Sequence, residues 1–116
     1  MPAAKMSVIR LSRILHRNIR TALASGMKLV SGSFGNDKKT CCAMSAAGFY
    51  PFADKPSKER LADLWHQQQG LARKNFWAVI DGFDEINGFG SFYSKEERAY
   101  EFYKLGQRLR KKFLRE

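Results

Sequence analysis

Residues 7–23 read SVIRLSRILHRNIRTAL, a run in which apolar and arginine side chains each recur every three or four positions, out of phase with one another. At about 100° per residue, Val8, Leu11, Leu15, Ile19 and Ala22 fall on one side, with Ile14 and Leu23 at its margins. Such a stripe has to lie against a core. Arg10, Arg13, Arg17 and Arg20 fall on the opposite side as a single cationic row with no interleaved acid. Four guanidinium groups on one face repel one another modestly, so the row favours an anionic partner, whether the protein's own carboxylates or something outside.

The rest of the chain must supply the surface this stripe packs against, and 116 residues make one ordinary domain. A 44% hydrophobic and 13% aromatic composition provides enough apolar surface to offset the entropy of ordering. Gly26 suits a left-handed stop to the first helix. The turn formers Gly32, Gly35, Asn36 and Asp37 predict a loop, with a small β-hairpin near residues 29–40 as the alternative. Cys41 to Phe49 is small and apolar and reads as a short buried helix. Ser57 is placed to cap a helix over Lys58 to Gln69, with Leu61, Leu64, Trp65 and Gln68 on one side and Gly70 as its stop. Asn75 to Phe83 fits either helix or strand; helix is favoured because no second strand of comparable strength exists to pair with it. Ser94 and Glu97 form an S-x-x-E capping box opening a last helix, Lys95 to Leu114. Its inward stripe is Ala99, Phe102, Gly106, Leu109 and Phe113. The fold expected is therefore mostly α, a single domain of about five helices with long basic helices at both ends.

Charge is uneven along the chain. The formal net charge is +10, with eight basic and one acidic side chain in residues 1–40, five and six in 41–94, and eight and four in 95–116. Both ends are cationic around a nearly neutral middle. The two cysteines, Cys41 and Cys42, are adjacent, which is no loop-closing disulfide framework and points to a reducing compartment. No stretch is long and apolar enough to predict a membrane span or a secretory signal, so a cytoplasmic location is expected. The Arg- and Ser-rich, acid-free start would also suit a mitochondrial matrix protein in a eukaryote.

Enzymatic chemistries fail on spacing. Gly32, Gly35, Lys38, Lys39 and Thr40 do not make a P-loop, because Ser33 and Lys38 stand where the motif requires glycine. Cys41, Cys42, His16 and His66 equal a zinc ligand set in number only, since adjacent thiolates lack the separation that lets two converge on a tetrahedral ion. A Cys nucleophile with a His base has nothing to bring the two together. An EF-hand begun at Asp81 puts Phe83 and Phe92 at ligand positions. No cofactor or metal is expected, and an enzyme is disfavoured. The segments Cys41–Ala46 and Phe102–Arg110 resemble stretches of short bacterial or phage proteins, a resemblance that implies no activity.

What is left is binding. The leading expectation is a non-enzymatic protein that contacts nucleic-acid phosphates through Arg10, Arg13, Arg17 and Arg20, helped by a second row on the last helix, Lys104, Arg108, Lys111 and Arg115. Arg suits this because its planar fork donates two hydrogen bonds to one phosphate and stays charged. Phe89, Phe92 and Tyr93, flanked by glycines, are the aromatics expected at the surface as contact residues. The alternative is a small regulatory adaptor whose basic helix docks on an acidic protein surface. For the last helix, cations near the C-terminus also have a purely structural reason, since they complement the helix dipole.

Overall fold

The structure, a computed structural model, describes residues 6–30, 40–45, 58–84, 93, 94 and 96–114. Among them are four α-helices, α1 (Val8–Ala24), α2 (Lys58–Gln69), α3 (Arg73–Asp84) and α4 (Arg98–Phe113), and two two-residue strands, β1 (Lys28–Leu29) and β2 (Thr40–Cys41). The fold is mostly helical.

The first helix follows its pattern. Ser7 is the N-cap, its hydroxyl accepting from the Arg10 amide at 3.1 Å. Leu11, Leu15, Ile19 and Ala22 are buried, Val8 and Ile14 are half-buried, and Leu23 lies 42% exposed. At the C-terminus Gly26 adopts φ +91°, and the Gly26 and Met27 amides donate back to the Leu23 and Ala22 carbonyls. That is a Schellman stop, and a residue without Cβ takes it at least cost. Gly70, at φ +71°, ends α2 in the same hand.

α3 and α4 form the tightest pair. Lys74 meets Glu97, Val79 meets Gly106 and Phe83 meets Arg110, so the two helices run in the same direction. Their backbones touch. A Cβ on Gly82 would overlap the Tyr103 carbonyl oxygen and lie 3.1 Å from the Gln107 amide nitrogen. One on Gly106 would overlap the Val79 carbonyl oxygen and lie 2.8 Å from the Phe83 nitrogen. Around this crossing Phe76, Ala78, Val79, Ile80 and Phe83 of α3 and Ala99, Phe102, Tyr103, Leu105 and Leu109 of α4 are buried. Arg110 donates at 2.9 Å to the Phe83 carbonyl, one of the last-turn acceptors of α3 that has no partner within its own helix. Residues 75–83 are thus helix, and Gly82 within it lets the α4 backbone come close.

Several expectations are corrected. β1 and β2 pair in parallel, Lys28 with Thr40 and Leu29 with Cys41, so they are not a hairpin, whose strands are necessarily antiparallel. Cys41 is in that strand and residues 42–45 form a turn rather than the start of a helix, because the Ser45 hydroxyl accepts from the Cys42 amide at 2.9 Å and closes the chain locally. The rest of that proposed helix, and the Ser57 cap, lie outside the described residues. Gln68 is exposed; Ala62 takes its place on the buried side of α2 with Leu61, Leu64 and Trp65, whose indole donates to the Met44 carbonyl at 3.1 Å. α4 begins at Arg98 and not at Lys95. Glu97, which would close the capping box, reaches instead to Lys74 across the α3 interface at 2.6 Å, leaving the helix start without a side-chain cap.

Tyr93 is the clearest departure. Expected at the surface, it is 8% exposed, stacked on Tyr103 with ring centroids 5.3 Å apart, and its hydroxyl donates to the Asp81 carboxylate. Burial, then that hydrogen bond to an acid, push its pKa above the ordinary 10.0 of tyrosine. Burial likewise raises the Cys42 thiol above its ordinary 9.0. Both groups ionise more readily in the unfolded chain, so the stability they confer is full below about pH 8 and is lost as pH rises through 9.0 and 10.0 towards their higher folded values. Denaturant midpoints should therefore fall between about pH 8 and about pH 11. Tyr93→Phe should cost about 1 kcal/mol near neutrality, because Asp81 loses its donor, and should flatten the alkaline decline. An equally steep decline in that variant would place the alkaline sensitivity elsewhere.

Candidate nucleic-acid interface

The packing of α1 decides which of its side chains face water. With Leu11, Leu15 and Ile19 against the core, Arg10, Arg13, Arg17 and Arg20 are all exposed. None of the four has a carboxylate within 4.0 Å among the described residues. Three cations elsewhere do have one: Arg73 pairs with Asp63 at 3.0 Å, Lys74 with Glu97 at 2.6 Å and Lys104 with Glu101 at 3.6 Å. The acids in those pairs belong to α2, α4 and the residue before α4, whereas α1 itself contains none.

The row borders a shallow depression of about 420 Å³ lined by Ser12, Arg13, His16, Arg17, Arg20 and Thr21. His16 is held in place. Its Nδ1 lies 2.7 Å from the Ser12 carbonyl oxygen, and since a carbonyl only accepts, Nδ1 carries the proton and Nε2 is left for a ligand or water. Beyond it, the Phe113 ring packs edge-on against the imidazole at 5.6 Å, and the Lys112 ammonium lies 5.7 Å from the Phe113 ring centre. The last turn of α4 therefore reaches the flank of the α1 row through the His16–Phe113 ring contact, with Lys112 beside that ring. Lys112 is no part of the row expected on α4, and a local sequence pattern gives no sign of it, because its place depends on where α4 ends against α1.

The expected α4 row divides. Arg108 and Lys111 are exposed with no acidic partner among the described residues. Lys104 is half-buried, paired with Glu101, and lies 5.4 Å from the Tyr100 ring centre, so much of its charge is already answered. Arg115 lies outside the described residues, as do Phe89 and Phe92. With Tyr93 in the core, the aromatic contact surface has no member among the described residues. Two apolar side chains do stand in water on α1, Ile9 at 65% exposure and Leu23 at 42%.

Among the described residues no three His, Cys, Asp or Glu side chains gather as metal ligands, and no helix is long and apolar enough to cross a membrane. No protein-family model, curated protein or solved structure matches the chain.

Proposed function

We propose that the protein is a non-enzymatic binder of nucleic-acid phosphates, gripping them through Arg10, Arg13, Arg17 and Arg20. The observation that carries this reading is that all four guanidinium groups stand exposed on one face of one helix and, among the described residues, free of acidic partners. The row spans about 15 Å at roughly 1.5 Å per residue, long enough to meet several phosphates of one strand or both edges of a groove. Lys112, Arg108, Lys111 and Arg115 make α4 its assistant. Because Trp65, Phe76, Phe83, Tyr93 and Tyr103 are committed to the core, the described surface offers little for base stacking, and backbone charge is the recognised feature. A nucleic-acid-bearing compartment, the cytoplasm or a mitochondrial matrix, suits this function, and the adjacent cysteines suit its reducing conditions.

A second reading rests on Ile9 and Leu23, whose exposed apolar surface at the edge of the arginine row suits an adaptor docking on an acidic protein. Binding to random-sequence duplex and single-stranded DNA at low salt separates the two. The phosphate reading expects comparable binding across sequences that weakens steeply as salt rises. No binding at low salt would reject it in favour of the adaptor, for which Ile9→Ser with Leu23→Ser would weaken partner capture.

A further inference from the structure

A second concavity lies where Met6, the α2–α3 junction and the first turn of α4 converge, away from the residues lining the α1 depression. It is half-enclosed, about 260 Å³ in volume, and lined by Met6, His66, Gly70, Ala72, Asn75 and Arg98. Three polar side chains of different chemistry meet there, and each keeps hydrogen-bonding capacity among the described residues. His66 has its Nδ1 3.2 Å from the Leu71 carbonyl oxygen, an acceptor, so Nδ1 is the donor and Nε2 is left open. Asn75 is half-buried, and its carboxamide has no hydrogen-bond partner among the described residues. Arg98 has acids one residue before and three after it, but Glu97 is taken by Lys74 and Glu101 by Lys104. Its guanidinium thus has no counter-charge among the described residues, at the rim of a pocket whose other wall, Met6 and Ala72, is apolar.

We infer that this cavity is a binding site for a small organic anion, one carboxylate or phosphate head on a short apolar body. The head pairs with the Arg98 fork, which matches either group through two parallel N–H donors. The Asn75 amide and His66 Nε2 complete its hydrogen bonding, and the body lies on Met6 and Ala72. The volume falls just under the usual ~300–1,000 Å³ of ligand pockets, which restricts the occupant to a small metabolite and excludes an oligomer. The arrangement is invisible to local sequence patterns because its three polar members come from three helices.

The test is titration of the ¹⁵N-labelled full chain with butyrate, propyl phosphate and inorganic phosphate, followed through the Asn75 side-chain amide and the His66 ring. The expected result is a saturable shift at both with at least one of the organic anions, the tighter of the two identifying the head group. Arg98→Gln should weaken it roughly ten- to a hundredfold, the scale of removing a charge-assisted hydrogen bond. Ala72→Glu, at an exposed position, should abolish it by repulsion while the chain stays folded. No saturable shift at about 10 mM ligand, the range of very weak binding, would overturn the proposal. So would unchanged affinity in Arg98→Gln, inorganic phosphate binding as tightly as the organic anions, or shifts confined to the α1 arginine row.

Discussion

Gly106→Leu is expected to leave the chain unfolded or molten at room temperature, and Gly106→Ala to cost at least about 2 kcal/mol. In an open helical site the same Gly→Ala change would gain about 1 kcal/mol from helix propensity, so the sign of the effect is the diagnostic. At Gly106 the new methyl meets the Val79 carbonyl and the Phe83 nitrogen, which are backbone atoms and cannot rotate aside. Only separation of α3 from α4 relieves the overlap, and that opens the apolar core between them. Gly82→Ala meets Tyr103 and Gln107 in the same way and should behave alike. Gly26→Ala is the contrasting control: the space there is open, and the loss should be the about 1–2 kcal/mol of placing an L-residue in a left-handed conformation. Denaturant unfolding of the three variants provides the comparison, and a stabilised Gly106→Ala would show that the two helices do not touch as described.

Leu15→Asp should be nearly as damaging. Leu15 is fully buried among Leu11, Ile19 and the rest of the core, so the carboxylate would have neither water nor a cation to receive it. A loss above about 4 kcal/mol is expected, in the range diagnostic of a buried unpaired charge. Arg13→Ala, two residues away but exposed, should change stability by no more than about 0.5 kcal/mol. Equal damage from both would mean that α1 is buried all round, and the arginine row would then have no surface from which to bind anything.

Leu15 and Arg13 also mark how far local pattern reaches. The buried face of α1, its Ser7 cap and its Gly26 stop are legible in the sequence, because each depends on side chains within one or two turns of one another. The extent of α2 is legible for the same reason, whereas residues 75–83 fit helix and strand alike locally and read as helix only because the chain offers no comparable strand to pair with them. What is not legible depends on elements distant in sequence. Tyr93 sits in a Gly- and aromatic-rich stretch that reads as surface, and only the presence of Asp81 and Tyr103 beside it makes burial favourable. The S-x-x-E box reads as a cap, but Lys74, more than twenty residues earlier, draws Glu97 away. Gly106 belongs to the inward stripe of α4, yet nothing local says that another helix backbone fills its missing side chain. For the candidate site, the exposed arginine row is legible from its spacing. The engagement of Lys104 by Glu101 is also written in the chain, at i,i+3 spacing, and it weakens the α4 row that the basic residues alone suggest. The approach of Lys112 through Phe113 to His16 has no counterpart in spacing, since it depends on how the end of α4 meets the middle of α1.

The most direct measurement compares the salt dependence of duplex DNA binding for the unaltered chain and for the variant with Arg10, Arg13, Arg17 and Arg20 all changed to Gln. Glutamine keeps a long polar stem and good helix propensity, and the four sites are exposed, so the variant should unfold at nearly the same denaturant concentration. Each phosphate that the variant no longer neutralises should reduce the slope of log affinity against log salt by about 0.9 unit. The expected result is a folded variant that binds far more weakly and shows a slope shallower by several units. A folded variant with unchanged affinity and unchanged slope would contradict the assignment of phosphate binding to α1.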